Sequence, residues 1–186
     1  MLGIKSDIHI LLIFENSFFK NMIIFIKNKD TLLIDDFKFR CSIGKNGFSK
    51  KKYEGDFTTP KGKFNLGNIY YRADRVQKPL SKLRSIPIKK NMGWCDDPKS
   101  KFYNRQIKIK KNLKIRYEKL YRKDHKYDFL ILIKYNYKNT AKFKGSAIFL
   151  HLTKKYLPTK GCIALREKDF LILAKLIDKK TKIKIN

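Results

Sequence analysis

Residues 148–165 read IFLHLTKKYLPTKGCIAL. An apolar run carries His151 near its end, a polar loop with a proline follows, and Gly161 and Cys162 stand at the head of a second apolar run. If the two runs are neighbouring strands, the loop folds back and brings the imidazole to the sulfur. Cysteine with histidine is the minimum for thiolate acyl transfer. The stretch therefore predicts two strands and a nucleophile beside its base.

The residues before the cysteine favour this chemistry. A free thiol is mostly protonated at neutral pH, so a reactive cysteine needs a nearby base or a positive field, to which Lys160 contributes. Gly161 permits an unusual backbone angle and lets the N–H groups of Gly161 and Cys162 converge on a developing oxyanion. Cys162, His151 and Gly161 are the predicted catalytic residues. The alternative is a buried cysteine and a strand-end histidine that meet no partner.

Hydrophobic patterning predicts a mostly β domain with one helix near its end. The helix, residues 167–179, places Phe170, Leu171, Ala174 and Ile177 on one face. Residues 72–127 are predicted to form a long excursion with little regular structure, and such excursions tend to be functional. Strands are predicted over residues 22–27, 31–34, 37–43, 63–66, 69–71, 128–135, 146–150 and 181–185.

The length of 186 residues suits one ordinary domain. The apolar run over residues 8–14 is short, and neither a basic cluster nor a small-residue cleavage site accompanies it, so no clear signal peptide is present. No stretch approaches the ~20 apolar residues of a membrane span, so we expect no transmembrane segment. Met22 is a better beginning for the domain than residue 1. We therefore predict an extension or a mis-set start over residues 1–21 and a domain over residues 22–186.

Charge is the most unusual bulk property. Forty-five Lys and Arg against 16 Asp and Glu give a formal net charge of +29. Such a charge favours nucleic acid, anionic lipid or an acidic polymer as partner. The lysines are spread over the whole length, which is typical of a solvated surface in a lysine-rich composition.

The three cysteines, Cys41, Cys95 and Cys162, form no CxxC pair, so a zinc ribbon or thioredoxin-type site is not expected. Their odd number leaves at least one free thiol, and Cys162 is the candidate. The histidines and cysteines show no metal-ligand spacing, and we expect neither a metal nor another cofactor.

The run around Cys162 resembles the L,D-transpeptidase catalytic domain (YkuD-type) family of bacterial cell-wall enzymes. The family motif is a histidine on a strand, a spacer, then Ser/Thr-His-Gly-Cys followed shortly by Arg. His151, Thr159, Gly161 and Cys162 match this motif.

Two positions depart from the family pattern. Lys160 stands where the second histidine is usual, and Ala164 stands where the arginine is usual, with Arg166 close enough to substitute. The upstream histidine, His151, is the one that the family uses as its base.

Other blocks extend the resemblance over residues 22–186. GDFTTPKGKF, residues 55–64, looks like the family's T-P-x-G-x-F segment. The blocks GWCDDP (93–98), YNR (103–105) and DHKYD (124–128) look like those of a compact bacterial subgroup. The blocks stand in the family's order, which makes the resemblance specific.

The resemblance implies a mainly β fold, an L,D-transpeptidase-like barrel or sandwich of mixed sheets with one or two helices, one of them near the C-terminus. It implies acyl transfer through a thioester on Cys162, with His151 as the base. The substrate would be a peptidoglycan stem tetrapeptide that loses its terminal D-alanine and passes its acyl group to an amine. A monomer in the cell envelope or periplasm is expected.

The candidate substrate-binding residues come from the same blocks. The 93–98 block would cap the cleft and contact the diaminopimelate end of a stem, or would form a structural turn with a buried tryptophan. The histidine of the 124–128 block would orient substrate or pair structurally, and the arginine after the motif would contact a carboxylate or cap a turn. These residues are Thr159, Arg166, Trp94, Asp96, Asp97 and His125.

Other functions remain open at this point. The same Cys-His site would serve an L,D-carboxypeptidase or endopeptidase if water replaced the amine. A basic nucleic-acid-binding module is the other alternative, because aromatic and basic residues interleave over residues 103–121. We expect no nucleic acid partner, since the thiol site accounts for more of the chain.

Overall fold

The computed structural model describes residues 22–186, so the expected extension over residues 1–21 lies outside the described residues. Within them the fold is mainly β, as predicted, with one α-helix, α1 (Glu167–Leu176), and a 3-10 turn (His125–Tyr127). The strands are β1 (Ile23–Ile26), β2 (Thr31–Ile34), β3 (Phe37–Arg40), β4 (Phe48–Ser49), β5 (Thr59–Pro60), β6 (Gly62–Tyr71), β7 (Ser85–Pro87), β8 (Met92–Cys95), β9 (Gln106–Lys108), β10 (Tyr117–Lys119), β11 (Phe129–Ile133), β12 (Phe149–Leu152), β13 (Ile163–Leu165) and β14 (Lys182–Ile185).

One large mixed sheet carries the fold. Its order is β13-β12-β11-β6-β14-β1-β2-β3, with β7 also paired to β6. The pairs β12/β13, β1/β14 and β6/β7 are parallel. Just after β3, Ser42 forms an antiparallel bridge with Ala164 on β13. This bridge joins the two ends of the strand order, so the sheet is nearly closed in the manner of a barrel.

Strand β11 lies between two apolar clusters, and all five of its residues are buried. Successive side chains of a strand point to opposite faces. Phe129, Ile131 and Ile133 accordingly join the main core, while Leu130 and Leu132 join the second cluster. A strand buried on both faces reads as a continuous apolar run, which is why the sequence predicts it well.

The C-terminal helix closes the main core. Phe170, Leu173 and Ala174 are buried, whereas Leu171 is only partly buried. The helix ends at Leu176, three residues before the predicted end, because Ile177 adopts an extended conformation. The predicted helix is therefore correct in position and slightly too long.

Residues 72–127 hold little regular structure, as predicted, but their short strands include a sheet that the sequence does not predict. Strands β8, β9 and β10 form a three-stranded sheet in the order β10-β8-β9. Strands of three or four residues are too short for a periodic pattern, and their stability comes from partners distant in sequence. The sheet packs Trp94 edge-on against Phe149 of β12, with ring centroids 5.2 Å apart. It thus covers the face of β12 that carries the candidate nucleophile and base.

Candidate active site

Strands β12 and β13 place the predicted nucleophile and base on one face. Their parallel register pairs Leu150 with Ile163 and His151 with Ala164. Cys162, one residue before β13, is therefore level with Phe149, and it belongs to the same apolar cluster as Phe149. Because alternate residues share a face, His151 follows Phe149 on the side to which Cys162 points.

The imidazole of His151 is held in one tautomer. Its Nδ1 lies 2.9 Å from the carbonyl oxygen of Leu152. A carbonyl oxygen only accepts, so Nδ1 carries the hydrogen and Nε2 keeps a lone pair. Burial lowers the pKa of His151 to about 4, so the ring is neutral at physiological pH. A neutral imidazole with a free Nε2 lone pair can accept a proton.

The Cys162 thiol is held in its protonated form. It donates to the carbonyl oxygen of Ala147 at 3.2 Å and accepts from the N–H of Phe149 at 3.4 Å. Burial, followed by the negative charge of Glu118, raises the pKa of Cys162 to about 12. No hydrogen bond joins the thiol to His151 among residues 22–186. The arrangement is a resting pair of neutral groups, in which the thiolate must form by proton transfer.

The loop before the nucleophile requires glycine. Gly161 has a φ of +131°, and a Cβ there would lie 2.7 Å from the backbone oxygen of Thr58. The Gly161 N–H donates to Thr159 Oγ1 at 3.1 Å, and the same hydroxyl donates to the carbonyl oxygen of Cys162 at 2.6 Å. Thr159 therefore holds the loop, and the Gly161 N–H is occupied instead of open as an oxyanion donor.

A buried ion pair lies beneath this loop. Lys52 Nζ lies 2.5 Å from Asp56 Oδ1, and both side chains are 4% exposed. The Asp56 carboxylate also accepts from the N–H and the hydroxyl of Thr58. Burial acts to raise the pKa of Asp56, but the hydrogen bonds from Lys52 and Thr58 hold it below its ordinary value. The positive charge of Lys52 also acts to lower the pKa of Cys162.

Three residues that the sequence analysis did not identify, Glu118, Arg122 and Tyr127, contact one another beside His151. The Tyr127 ring packs against the His151 ring with centroids 5.5 Å apart, and its hydroxyl donates to Glu118 Oε1 at 2.8 Å. Arg122 Nη1 contacts the same Glu118 oxygen at 3.3 Å. In the sequence, these aromatic and charged residues run from β10 into the DHKYD block. Only the folded chain shows that they are linked to His151 through the ring of Tyr127.

A fourth missed residue is Asn104, within the YNR block. It is 2% exposed, and its Oδ1 accepts from Trp94 Nε1 at 2.9 Å and from the N–H of Ala147 at 3.1 Å. Its Nδ2 donates to the carbonyl oxygens of Tyr135 and Asn136. Asn104 thus fixes Ala147, whose own carbonyl receives the Cys162 thiol hydrogen.

The predicted residues of the 93–98 block make contacts within the protein. Trp94 is 1% exposed and packs beneath Phe149, so its indole supports the site from inside. Asp96 Oδ1 accepts from Arg116 Nε at 3.1 Å, and Asp97 accepts from the N–H of Lys99 at 3.0 Å within a turn. The structure therefore gives all three residues structural contacts.

The remaining residues lie at the start of α1, in the 3-10 turn and on the loop before Cys162. Arg166 stands at the start of α1, with its guanidinium 5.3 Å from the centroid of the Tyr156 ring. His125 opens the 3-10 turn, and its buried Nε2 has no hydrogen-bond partner among the described residues. Lys160 is exposed, next to Gly161.

Within residues 22–186, no three His, Cys, Asp or Glu side chains come together in an arrangement that would hold a metal ion. No helix in this part of the chain has the length and apolar character needed to cross a membrane.

Comparison with solved structures finds the same fold. A mutant form of the helical cell shape determining protein Pgp2 from Campylobacter jejuni matches with 18% identity and a TM-score of 0.50, over 89% of this chain and 46% of that chain. Bd1075 from Bdellovibrio bacteriovorus matches with 16% identity and a TM-score of 0.49, over 92% and 50%. An L,D-transpeptidase from Mycobacterium smegmatis matches with 11% identity and a TM-score of 0.41, over 89% and 58%. The chain spans about half the length of the first of these structures.

No curated protein matches the chain. A family model described as the YkuD L,D-transpeptidase catalytic domain matches residues 20–185, nearly the whole of the sequence. The match includes the thiol, the imidazole and the loop that joins them. The chain therefore belongs to the L,D-transpeptidase catalytic domain family.

Proposed function

We propose that the protein is a cysteine acyltransferase that acts on peptidoglycan stem peptides, with a thioester at Cys162 as intermediate. One observation carries this proposal. Cys162 and His151 lie on the same face of adjacent parallel strands, and the tautomer of His151 leaves Nε2 as a proton acceptor. Thiol acyl transfer requires a nucleophile and a base on the same side of a site, and the two strands supply both.

In the first half of the reaction, the thiol hydrogen moves from Cys162 to His151 Nε2 as the sulfur attacks the stem carbonyl. A C–S bond forms, and the C–N bond to the terminal D-amino acid breaks. His151 then gives its proton to the leaving amine. The low pKa of His151 favours this last step, because the buried imidazolium is a strong acid.

The oxyanion of the tetrahedral intermediate needs backbone donors. We assign it to the N–H of Cys162, because the Gly161 N–H already donates to Thr159 Oγ1. A single well-placed donor contributes about 3 kcal/mol to such a step.

In the second half, an acceptor amine attacks the thioester. A C–N bond forms, the C–S bond breaks, and the amine proton returns through His151 to the sulfur. Water in place of the amine would give an L,D-carboxypeptidase or endopeptidase with the same residues. The reaction would cross-link or remodel the cell wall, and we place it in the cell envelope. A surface of net charge +29 suits an acidic polymer.

The test uses a carbapenem-type acylating agent and purified stem tetrapeptides, with products read by mass spectrometry. We expect one acyl adduct on the wild-type protein, at Cys162, and a cross-linked dimer as product. Cys162→Ala should lose both, whereas Cys41→Ala, a change at a core cysteine, should keep both. Cross-linking by Cys162→Ala would overturn the proposal, and trimmed monomers alone would replace the amine acceptor by water.

A further inference from the structure

Glu118 presents a partly exposed carboxylate beside Tyr127, the residue whose ring packs against His151. Its Oε1 accepts from the Tyr127 hydroxyl at 2.8 Å and from Arg122 Nη1 at 3.3 Å. Its Oε2 accepts no hydrogen bond from the described residues. The side chain is 29% exposed, so this oxygen can meet a ligand.

The position of Glu118 is tied to both catalytic residues. Through Tyr127 it is one contact away from the His151 ring. Its strand partner is Trp94, whose ring packs against Phe149, and the N–H of Phe149 contacts the Cys162 thiol. Glu118 is the charged group that acts most strongly on that thiol, ahead of Lys52 and Arg122.

A negative charge here opposes the proposed chemistry, because it disfavours a thiolate at Cys162. The hydrogen bond to Tyr127 needs only a neutral acceptor, and a glutamine would supply one. Arg122 does not require Glu118 either, since its Nε and Nη2 already donate to Asp124 at 3.1 and 2.7 Å. Arg122 is thus shared between Glu118 and Asp124, and the internal contacts leave the charge of Glu118 only partly balanced.

A cation on the ligand would complete this balance. Burial raises the pKa of Glu118, and the hydrogen bond from Tyr127 and the charges of Arg122 and, to a smaller extent, Lys160 on the loop before Cys162 favour its ionised form. A carboxylate in a partly desolvated site binds an ammonium more strongly than it would in open water. An arriving ammonium would also cancel the charge that opposes thiolate formation.

We propose that Glu118 forms a subsite for the side-chain ammonium of a diamino acid in the donor stem, and that filling this subsite neutralises Glu118 and activates Cys162. This inference rests on the proposed function. It makes the donor ammonium both a recognition element and a condition for nucleophilic attack, so a stem without that amine is a poor donor.

The first test reads the charge without substrate. Glu118→Gln keeps an acceptor for Tyr127 and removes the charge, and Glu167→Gln is the same change at an exposed position on α1. Alkylation of Cys162 by neutral iodoacetamide at pH 8 should be roughly threefold to tenfold faster in Glu118→Gln and unchanged in Glu167→Gln. Equal rates in all three proteins would overturn the activation part of the inference.

The second test compares two stem tetrapeptides that differ only in acetylation of the diamino acid side chain. Wild type and Glu167→Gln should prefer the free amine by at least about tenfold in kcat/KM. Glu118→Gln should lose this preference, whereas a merely structural role would lower both values together. A preference retained by Glu118→Gln, or equal rates on both peptides in wild type, would overturn the subsite. Processing of neither peptide by wild type would overturn the proposed function itself.

Discussion

The hydroxyl of Thr59 donates a 2.9 Å hydrogen bond to the carbonyl oxygen of Gly161, which stands 102 residues later in the chain. The same hydroxyl accepts from the N–H of Gly44 at 2.8 Å, and Thr59 is fully buried. One side chain thus ties the T-P-x-G segment and the residues after β3 to the loop that ends at Cys162. The position of the nucleophile depends on this long-range contact.

Thr59→Val should therefore destabilise the protein and disturb the site. The substitution keeps the shape of the side chain but leaves a buried N–H and a buried carbonyl without partners, which costs about 2–3 kcal/mol. Thr59→Ser keeps both hydrogen bonds and should cost less than about 1 kcal/mol. Urea unfolding and acylation of Cys162 would measure the two effects. A valine variant as stable as the serine variant would contradict this account.

Gly161→Ala should be more damaging than Gly55→Ala. Both glycines have positive φ, but a Cβ at Gly55 meets nothing within 4 Å, whereas at Gly161 it would lie 2.7 Å from the Thr58 oxygen. The shared backbone cost is about 1 kcal/mol, and the close contact should add about 1–2 kcal/mol at Gly161. Thermal unfolding measures the difference, and the rate of Cys162 acylation should fall only in Gly161→Ala. Equal melting temperatures would show that the loop yields to the extra carbon.

Acid should destabilise the protein through His151. Its pKa is about 4 in the folded protein, against 6.5 for an ordinary histidine, because burial disfavours the charged ring. Between these values the unfolded chain binds a proton that the folded chain does not, so stability is lost as pH falls from 6.5 to 4. The loss amounts to about 3 kcal/mol.

The measurement is the free energy of unfolding in urea at pH 7 and at pH 4, in wild type and His151→Gln. The glutamine does not titrate, so the variant should lose about 3 kcal/mol less over this range than wild type. The acid limb of wild-type kcat/KM should also lie nearer pH 4 than pH 6.5, because the base stays neutral down to that pH. If wild type and His151→Gln lost the same free energy of unfolding between pH 7 and pH 4, the His151 ring would not be a buried neutral imidazole in the folded protein.

Asn104→Asp should destabilise the packing of the three-stranded sheet of β8, β9 and β10. The change removes two donors to the carbonyl oxygens of Tyr135 and Asn136 and places a charge at a position that is 2% exposed. The expected cost is about 3 kcal/mol. Asn112→Asp, the same change at an exposed position, should cost less than about 0.5 kcal/mol. Similar urea midpoints for the two variants would show that the buried hydrogen bonds of Asn104 contribute little to stability.

Parts of the fold with strong local patterns were predictable. β11 reads as an unbroken apolar run because it is buried on both faces, and α1 shows its apolar face at helical spacing. The sheet of β8, β9 and β10 was not predictable, since each strand is too short to carry a period and gains its stability from distant partners.

The candidate site likewise has a part that the sequence predicts and a part that only the fold reveals. Cys162, His151 and Gly161 stand in one short stretch, so the sequence by itself was enough to predict a nucleophile, a base and the glycine between them, and it determined the strand-loop-strand pattern that joins them. Only the tertiary structure decided that Tyr127 packs against His151 and binds Glu118, that Thr59 holds the loop, and that Cys162 and His151 are both buried and neutral. The physical reason is that pKa values and long-range hydrogen bonds depend on burial and on neighbours from other strands, which the order of residues does not show.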